Sequence, residues 1–101
     1  MPCDFLFVIL RHDEVGGLAS AVDLSTSGMR FQYVGGDISP TEKILVQFTV
    51  GSSTWSFCGQ PLRVSTPEPF TQEVAVVFQS VYERTRSLLG EAIRKDFGDA
   101  G

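Results

Sequence analysis

Six short runs of strand-forming residues follow one another through most of the chain, and they limit the folds it can adopt. The runs are rich in Val, Ile, Phe and Trp, which favour strands, and clusters of Gly, Ser, Pro and Asp separate them. The predicted strands lie at about 5–11, 18–24, 29–34, 44–50, 55–65 and 71–79, with turns at about 13–17, 35–40, 51–53 and 67–69. Six strands at this spacing predict a closed or nearly closed antiparallel barrel.

After Phe78 the apolar period lengthens from two to about three and a half residues, which indicates an amphipathic helix at about 80–95. Ser80 and Glu83 have the spacing of a capping box at its start. We expect this helix to lie against one side or one mouth of the barrel, and residues 96–101 to form a frayed tail. The predicted apolar face consists of Val81, Leu88, Leu89, Ala92 and Ile93.

The first and last strands, Phe5–Leu10 and Val74–Phe78, are apolar on both faces. A strand with one face in water would alternate between apolar and polar residues. Something should therefore cover their outer faces, because large exposed apolar patches are uncommon in monomers. The terminal helix is the favoured cover, and a partner chain or an upstream segment is the alternative.

Length and composition restrict the classes of function. A chain of 101 residues with 43% hydrophobic content forms one domain around one core, and no apolar run is long enough to span a bilayer, so we expect no membrane insertion. The net charge of −4 argues against DNA or RNA binding, although a few donors could still hold one small anion. Cys3 and Cys58 suggest no disulfide framework, which favours a cytoplasmic setting.

No catalytic or metal-binding group is evident in the sequence. His12 is the only histidine, whereas a zinc site needs three or four converging ligands and a serine nucleophile needs a base and an acid within reach. The glycine pairs Gly16-Gly17 and Gly35-Gly36 lack the spacing of a phosphate loop. The sequence therefore predicts a protein that is not an enzyme and has no cofactor or metal. We expect core packing for the aromatic residues Phe31, Phe48, Trp55, Phe57 and Phe70.

The segment Asp23-Leu24-Ser25-Thr26-Ser27-Gly28 carries the most informative pattern. If Val22 and Leu24 point into the barrel, Asp23 and Ser25 share its outer face. One interpretation is a strand that ends in an Asx or Ser turn, with Gly28 at positive φ. The other is a polar ledge for a ligand, with a carboxylate and a hydroxyl for hydrogen bonds and a glycine that leaves room beside the backbone. Physical reasoning alone favours the turn.

This segment resembles the D-x-S-x-x-G signature of PilZ domains, the small bacterial receptors for cyclic di-GMP. The resemblance extends over nearly the whole chain. A first strand and a glycine turn precede the signature strand, which continues as Met29-Arg30-Phe31. The strand Glu73–Gln79 then places an aromatic residue just before a terminal helix. It implies a mainly β fold, namely a six-stranded antiparallel β-barrel of the split-barrel type with one C-terminal α-helix. It also implies that residues 1–101 form a single PilZ-like domain.

The resemblance also implies a binding site and a function. Asp23 and Ser25 would hold a guanine and its ribose-phosphate linkage, and Gly28 would leave room for them; Arg11 and Arg30 are further candidates for ligand contacts. The protein would be a non-enzymatic regulatory domain of cyclic di-GMP signalling. A partner protein is expected to carry the signal onward, and the sequence leaves a homodimer open.

The chain departs from the family at the phosphate contacts. PilZ domains grip phosphates mainly with an R-x-x-x-R loop before the first strand, and Met1 to Asp4 contain no arginine. Two missing arginine contacts would cost about 3–6 kcal/mol of binding free energy. Either an upstream arginine loop completes a cyclic di-GMP receptor, as the intact Asp23, Ser25 and Gly28 suggest, or the chain is a degenerate PilZ-like module. The acidic charge and doubly apolar strands favour such a module, acting through protein contacts in pilus or motility regulation.

Overall fold

Six antiparallel strands close into a barrel in the computed structural model, which describes residues 3–11, 14–34, 38–68 and 70–98. Around the barrel the strands follow the order β1-β2-β3-β6-β5-β4, and β4 pairs with β1. One α-helix follows, and the predicted fold class is confirmed. The elements are β1 Leu6–Arg11, β2 Glu14–Leu24, β3 Gly28–Val34, β4 Ile44–Val50, β5 Ser53–Glu68, β6 Thr71–Gln79 and α1 Glu83–Ile93, which a π-helical turn, Arg94–Gly98, continues.

Alternating side chains fill the interior of the barrel. In β6 every second residue from Gln72 to Phe78 is buried, as a strand period of two requires. Phe78 stacks on Phe57 with ring centroids 4.6 Å apart, and Phe7 meets Phe31 edge to face at 5.2 Å. The core prediction was wrong for Phe70, which is 85% exposed at the turn between β5 and β6.

The glycines near the start of β2 form a bulge and not the predicted turn. Ile9 pairs with Gly17 and Leu10 pairs with Val15, so Gly16 is the extra residue on β2. Gly17 has a φ of 145°, a conformation that L side chains rarely adopt. A bulge absorbs such a residue without ending the strand, and β2 therefore begins at Glu14 instead of about residue 18. The predicted turn residues Asp13, 35–37 and Pro69 lie outside the described residues.

The β4–β5 hairpin confirms the turn predicted at Gly51-Ser52-Ser53. Val50 pairs with Ser53, and the two residues between them have φ values of 65° and 67°. Positive φ at both central residues gives a turn whose twist matches that of antiparallel strands. A methyl group at Gly51 would lie 2.7 Å from Cβ of Ala92, so the helix packs directly on this turn.

The helix closes one mouth of the barrel. Leu89 and Ile93 are buried, Gly90 lies beside Thr26 of the β2–β3 turn, and the Phe97 ring stacks on Phe5. Asp96 accepts a 2.8 Å hydrogen bond from the amide of Gly51, so the predicted fraying is wrong for Asp96 and Phe97. Residues 99–101 lie outside the described part of the chain. Among the described residues, no helix is long and apolar enough to cross a membrane.

The capping box predicted for Ser80 and Glu83 is wrong. The helix begins at Glu83 with Tyr82 as its N-cap residue, and no side chain caps it. Ser80 lies two residues before the N-cap with a φ of 57°, a left-handed bend that directs the chain from β6 into the helix. Leu88 of the predicted apolar face is about half exposed.

The outer face of β1 is not covered by the helix, contrary to the favoured expectation. Leu6 on β1 and Leu18 on β2 remain 70% and 63% exposed, and Val8, which is opposite Leu18, lies between them. The helix cannot cover this face because its apolar residues pack over the barrel mouth.

Polar contacts close the other mouth. Arg11, at the end of β1, donates two hydrogen bonds to the carboxylate of Glu42, and these bonds raise the pKa of its guanidinium further above the usual value. Gln72 accepts a 2.8 Å hydrogen bond from the buried amide of Ile38. The loop before β4 is thereby fastened to β1 and β6.

We expect Gly51→Ala to lower the free energy of unfolding by about 2–4 kcal/mol, because left-handed strain adds to the clash with Ala92. The matched control is Ser52→Gly, which relieves a similar φ and should change stability by less than about 1 kcal/mol. Urea denaturation of the two variants measures both effects. Equal stabilities would show that the helix does not pack against this turn.

Candidate functional site

A groove runs along the outside of the barrel where β2 ends, β3 begins and β6 passes beside them. We call it the edge groove; it has a volume of about 440 Å³. Asp23, Ser25 and Gly28, the predicted ligand-binding residues, all line it together with Arg30. Leu62 of β5 lines it too, as do Ala75 and Val77 of β6. The sequence pattern thus identified one side of a single concave surface.

A β-bulge decides which residues of β2 face this groove. Ala21 pairs with Phe31 and Asp23 pairs with Arg30, so Val22 is the extra residue. Ala21 and Leu24 are buried, whereas Val22 is half-buried, so the expectation that Val22 points into the barrel was wrong. The bulge interrupts the period of two on which that expectation depended.

Asp23 lies opposite Arg30 across the β2–β3 pair. Its carboxylate is 3.6 Å from the guanidinium of Arg30, which is also 3.6 Å from the carboxylate of Glu73 on β6. Both ion pairs are longer than a good hydrogen bond, and both ends of the Asp23–Arg30 pair are nearly half exposed. Such pairs contribute little to stability and exchange partners easily.

The hydroxyl of Ser25 holds the turn between β2 and β3. It accepts hydrogen bonds from the amides of Ser27 and Gly28 at 3.3 and 3.2 Å, and it is 3.2 Å from the carbonyl oxygen of Gly28, to which it donates. This is the Ser turn that physical reasoning favoured. The side chain is exposed, and its one donor and two acceptor positions are all engaged within the turn.

Gly28 is required by the packing of β3 on β6. A Cβ at this position would lie 2.2 Å from the carbonyl oxygen of Val76, closer than any real contact. The described glycines with positive φ are Gly17 and Gly51, so the expectation of positive φ at Gly28 was wrong. The backbone of β6 approaches Gly28 from one side, and the groove opens beside it.

Arg11 lies apart from the edge groove. It is at the far end of β1, where Glu42 binds its guanidinium.

Cys3 lies near Asp23, because the amide of Cys3 donates a hydrogen bond to the carbonyl of Val22, the residue before Asp23. Burial raises the pKa of the Cys3 thiol, and the Asp23 carboxylate raises it further. The thiol is therefore protonated at neutral pH.

Sequence reasoning did not find the β5 and β6 side of the groove. Leu62 reaches it because it is the extra residue of a bulge between Pro61 and Arg63, and Ala75 reaches it through long-range strand pairing. Pro61 was the available signal, since proline inside a strand often marks a bulge. His12 lies outside the described residues, and within them no group of three His, Cys, Asp or Glu residues could hold a metal ion.

Comparison with known proteins gives no match, either to protein-family models or to curated protein sequences. Membership of the PilZ family therefore stays a prediction that depends on the D-x-S-x-x-G pattern and the order of elements.

We expect Gly28→Ala to destabilise the protein by about 2–3 kcal/mol or more, because the added methyl group meets backbone that cannot move aside. Gly90→Ala is the matched control. Its methyl group would lie 3.3 Å from the side chain of Thr26, and alanine favours a helix, so stability should stay within about 1 kcal/mol of wild type. Thermal unfolding compares the two variants. If Gly28→Ala unfolds at the same temperature as wild type, β3 and β6 are too far apart for the added methyl group to meet the carbonyl of Val76.

Proposed function

We propose that this protein is a non-enzymatic regulatory domain, PilZ-like and cytoplasmic, that binds cyclic di-GMP in the edge groove. The observation that carries the proposal is the convergence of Asp23, Ser25, Gly28 and Arg30 on one groove. Its volume of about 440 Å³ is within the range of small-molecule sites. The convergence of these four residues on one concave surface supports a common role for them.

The chemistry of the groove suits a guanine nucleotide. The carboxylate of Asp23 can accept the two parallel N–H donors of a guanine edge. Gly28, Ala75 and Val77 give the groove small and apolar lining groups against which a base can pack. Arg30 supplies a guanidinium for a phosphate or for stacking on the base. The groove therefore offers an acceptor, a platform and a cation within one surface.

Calorimetric titration of the chain with cyclic di-GMP tests this function, and we expect saturable binding. Asp23→Ala should weaken binding by about 1–3 kcal/mol, because it removes the acceptor for guanine. Glu83→Ala is the control, since this carboxylate is exposed on the helix, away from the residues that line the groove. The proposal is wrong if wild type binds no cyclic di-GMP, and the role of Asp23 is wrong if both variants bind like wild type.

A second function, regulation through protein contacts, is supported by a different surface. Leu6, Val8 and Leu18 form an apolar cluster on the outside of β1 and β2, and two of them are exposed by more than half. Clusters of this kind are typical of interaction surfaces. On this alternative the D-x-S-x-x-G segment maintains the barrel and the apolar cluster contacts a partner in pilus or motility regulation.

For this alternative, in which the chain does not bind cyclic di-GMP, we expect Leu18→Lys to abolish co-purification of a partner from native cells while thermal unfolding shows an intact fold. Leu88→Lys is the control, because Leu88 is about half exposed on the helix and lies outside β1 and β2. If Leu18→Lys and wild type recover the same proteins, the apolar cluster has no role as an interface.

A further inference from the structure

A row of outward-facing residues crosses four neighbouring strands at the edge groove. Asp23 on β2 is paired with Arg30 on β3, Arg30 with Ala75 on β6, and Ala75 with Arg63 on β5. Val74 and Val76 are buried, so Ala75 lies on the outer face between the two arginines. Paired Cα atoms in antiparallel strands are about 5 Å apart, so the backbones of Arg30 and Arg63 are about 10 Å apart.

Arg63 differs from Arg30 in its surroundings. It is exposed, and no ion pair joins it to a carboxylate among the described residues. The bulge at Leu62 shifts the register of β5 by one residue and brings Arg63 opposite Ala75. Leu62 itself projects into solvent beside the groove and lines it. An exposed apolar side chain, Leu62, and an exposed arginine, Arg63, are thus neighbours on β5.

We propose that Arg30 and Arg63 bind the phosphate groups of the groove's ligand from opposite sides of Ala75. The ligand class rests on the proposed function, but the arginine pair is a separate inference. Planar guanidinium groups match phosphate oxygens with two parallel hydrogen bonds. The small side chain of Ala75 and the absence of one at Gly28 leave the space between the arginines open to a ligand.

The charge balance fits a phosphate that competes for Arg30. Asp23, Glu73, Arg30 and Arg63 sum to zero, and the 3.6 Å contacts of Arg30 with the two carboxylates are long. A phosphate can therefore replace Glu73 as the partner of Arg30, while Arg63 supplies a second cation. Asp23 stays with the guanine edge. The assignment gives this chain a pair of phosphate-binding arginines within the barrel itself.

The arginine pair predicts opposite effects for two charge-neutralising variants. Arg63→Gln should weaken binding of cyclic di-GMP about tenfold or more, because a charge-assisted hydrogen bond is lost. Glu73→Gln should strengthen binding several-fold, because it removes a competitor for Arg30. Arg84→Gln, at an exposed helix position, is the control and should leave the affinity unchanged. If Arg63 had only a structural role, Arg63→Gln and Glu73→Gln would not change the affinity for cyclic di-GMP in opposite directions.

Inorganic pyrophosphate is the second probe, because it carries the phosphate chemistry without the base. In ¹⁵N-correlated NMR spectra of the full chain, we expect pyrophosphate to shift the amide signals of Gly28 and Ala75, and the shifts should disappear in Arg63→Gln.

The outcomes separate the two proposals. Pyrophosphate binding at Gly28 and Ala75 without cyclic di-GMP binding would overturn the proposed function and retain the arginine pair. Cyclic di-GMP binding that Arg63→Gln leaves unchanged would retain the function and overturn the pair. If neither probe shifts these amides, or if pyrophosphate shifts them equally in Arg63→Gln, the arginine pair is wrong.

Discussion

The pairing of β3 with β6 is the contact on which the barrel and its groove both depend. It joins residues 28–34 to residues 71–77, across the whole of β4 and β5, and Gly28 allows the carbonyl of Val76 to approach where any side chain would collide. With the β1–β4 pairing it closes the sheet, so that each of the six described strands pairs with a neighbour on both sides. Closure in turn buries the inward side of every strand and leaves the groove on the outside.

The same contact gives the D-x-S-x-x-G segment a structural purpose that does not depend on any ligand. Ser25 closes the β2–β3 turn, and the amide of Phe78 donates a hydrogen bond to the carbonyl of Ser27, which joins that turn to the end of β6. A chain could therefore keep Ser25 and Gly28 for the barrel alone. Asp23 and Arg30 are different, because their weak, exposed ion pair adds little to stability. The proposal of a ligand-binding role depends most on those two residues.

Local patterns predicted most of the strands because each strand repeats its signal over many residues. The bounds 44–50 and 71–79 agree with β4 and β6, and the glycine at the β4–β5 turn marked a true hairpin. The wrong predictions for β2 arise where one inserted residue interrupts the strand pattern. Gly16 and Val22 are single extra residues in bulges, and the local sequence is equally compatible with a turn or with an unbroken alternation.

The sequence by itself determined the number of strands, the presence of the terminal helix and the group of polar residues at Asp23, Ser25 and Gly28, because these depend on neighbours along the chain. Tertiary structure alone decided what faces that group. Leu62 and Ala75 reach the groove through pairings between distant strands and through a bulge at Leu62, which also brings Arg63 opposite Ala75, and strand register cannot be read from local preference. The helix likewise closes the barrel mouth, and not the face of β1, because only the closed sheet has a mouth for Leu89 and Ile93 to fill.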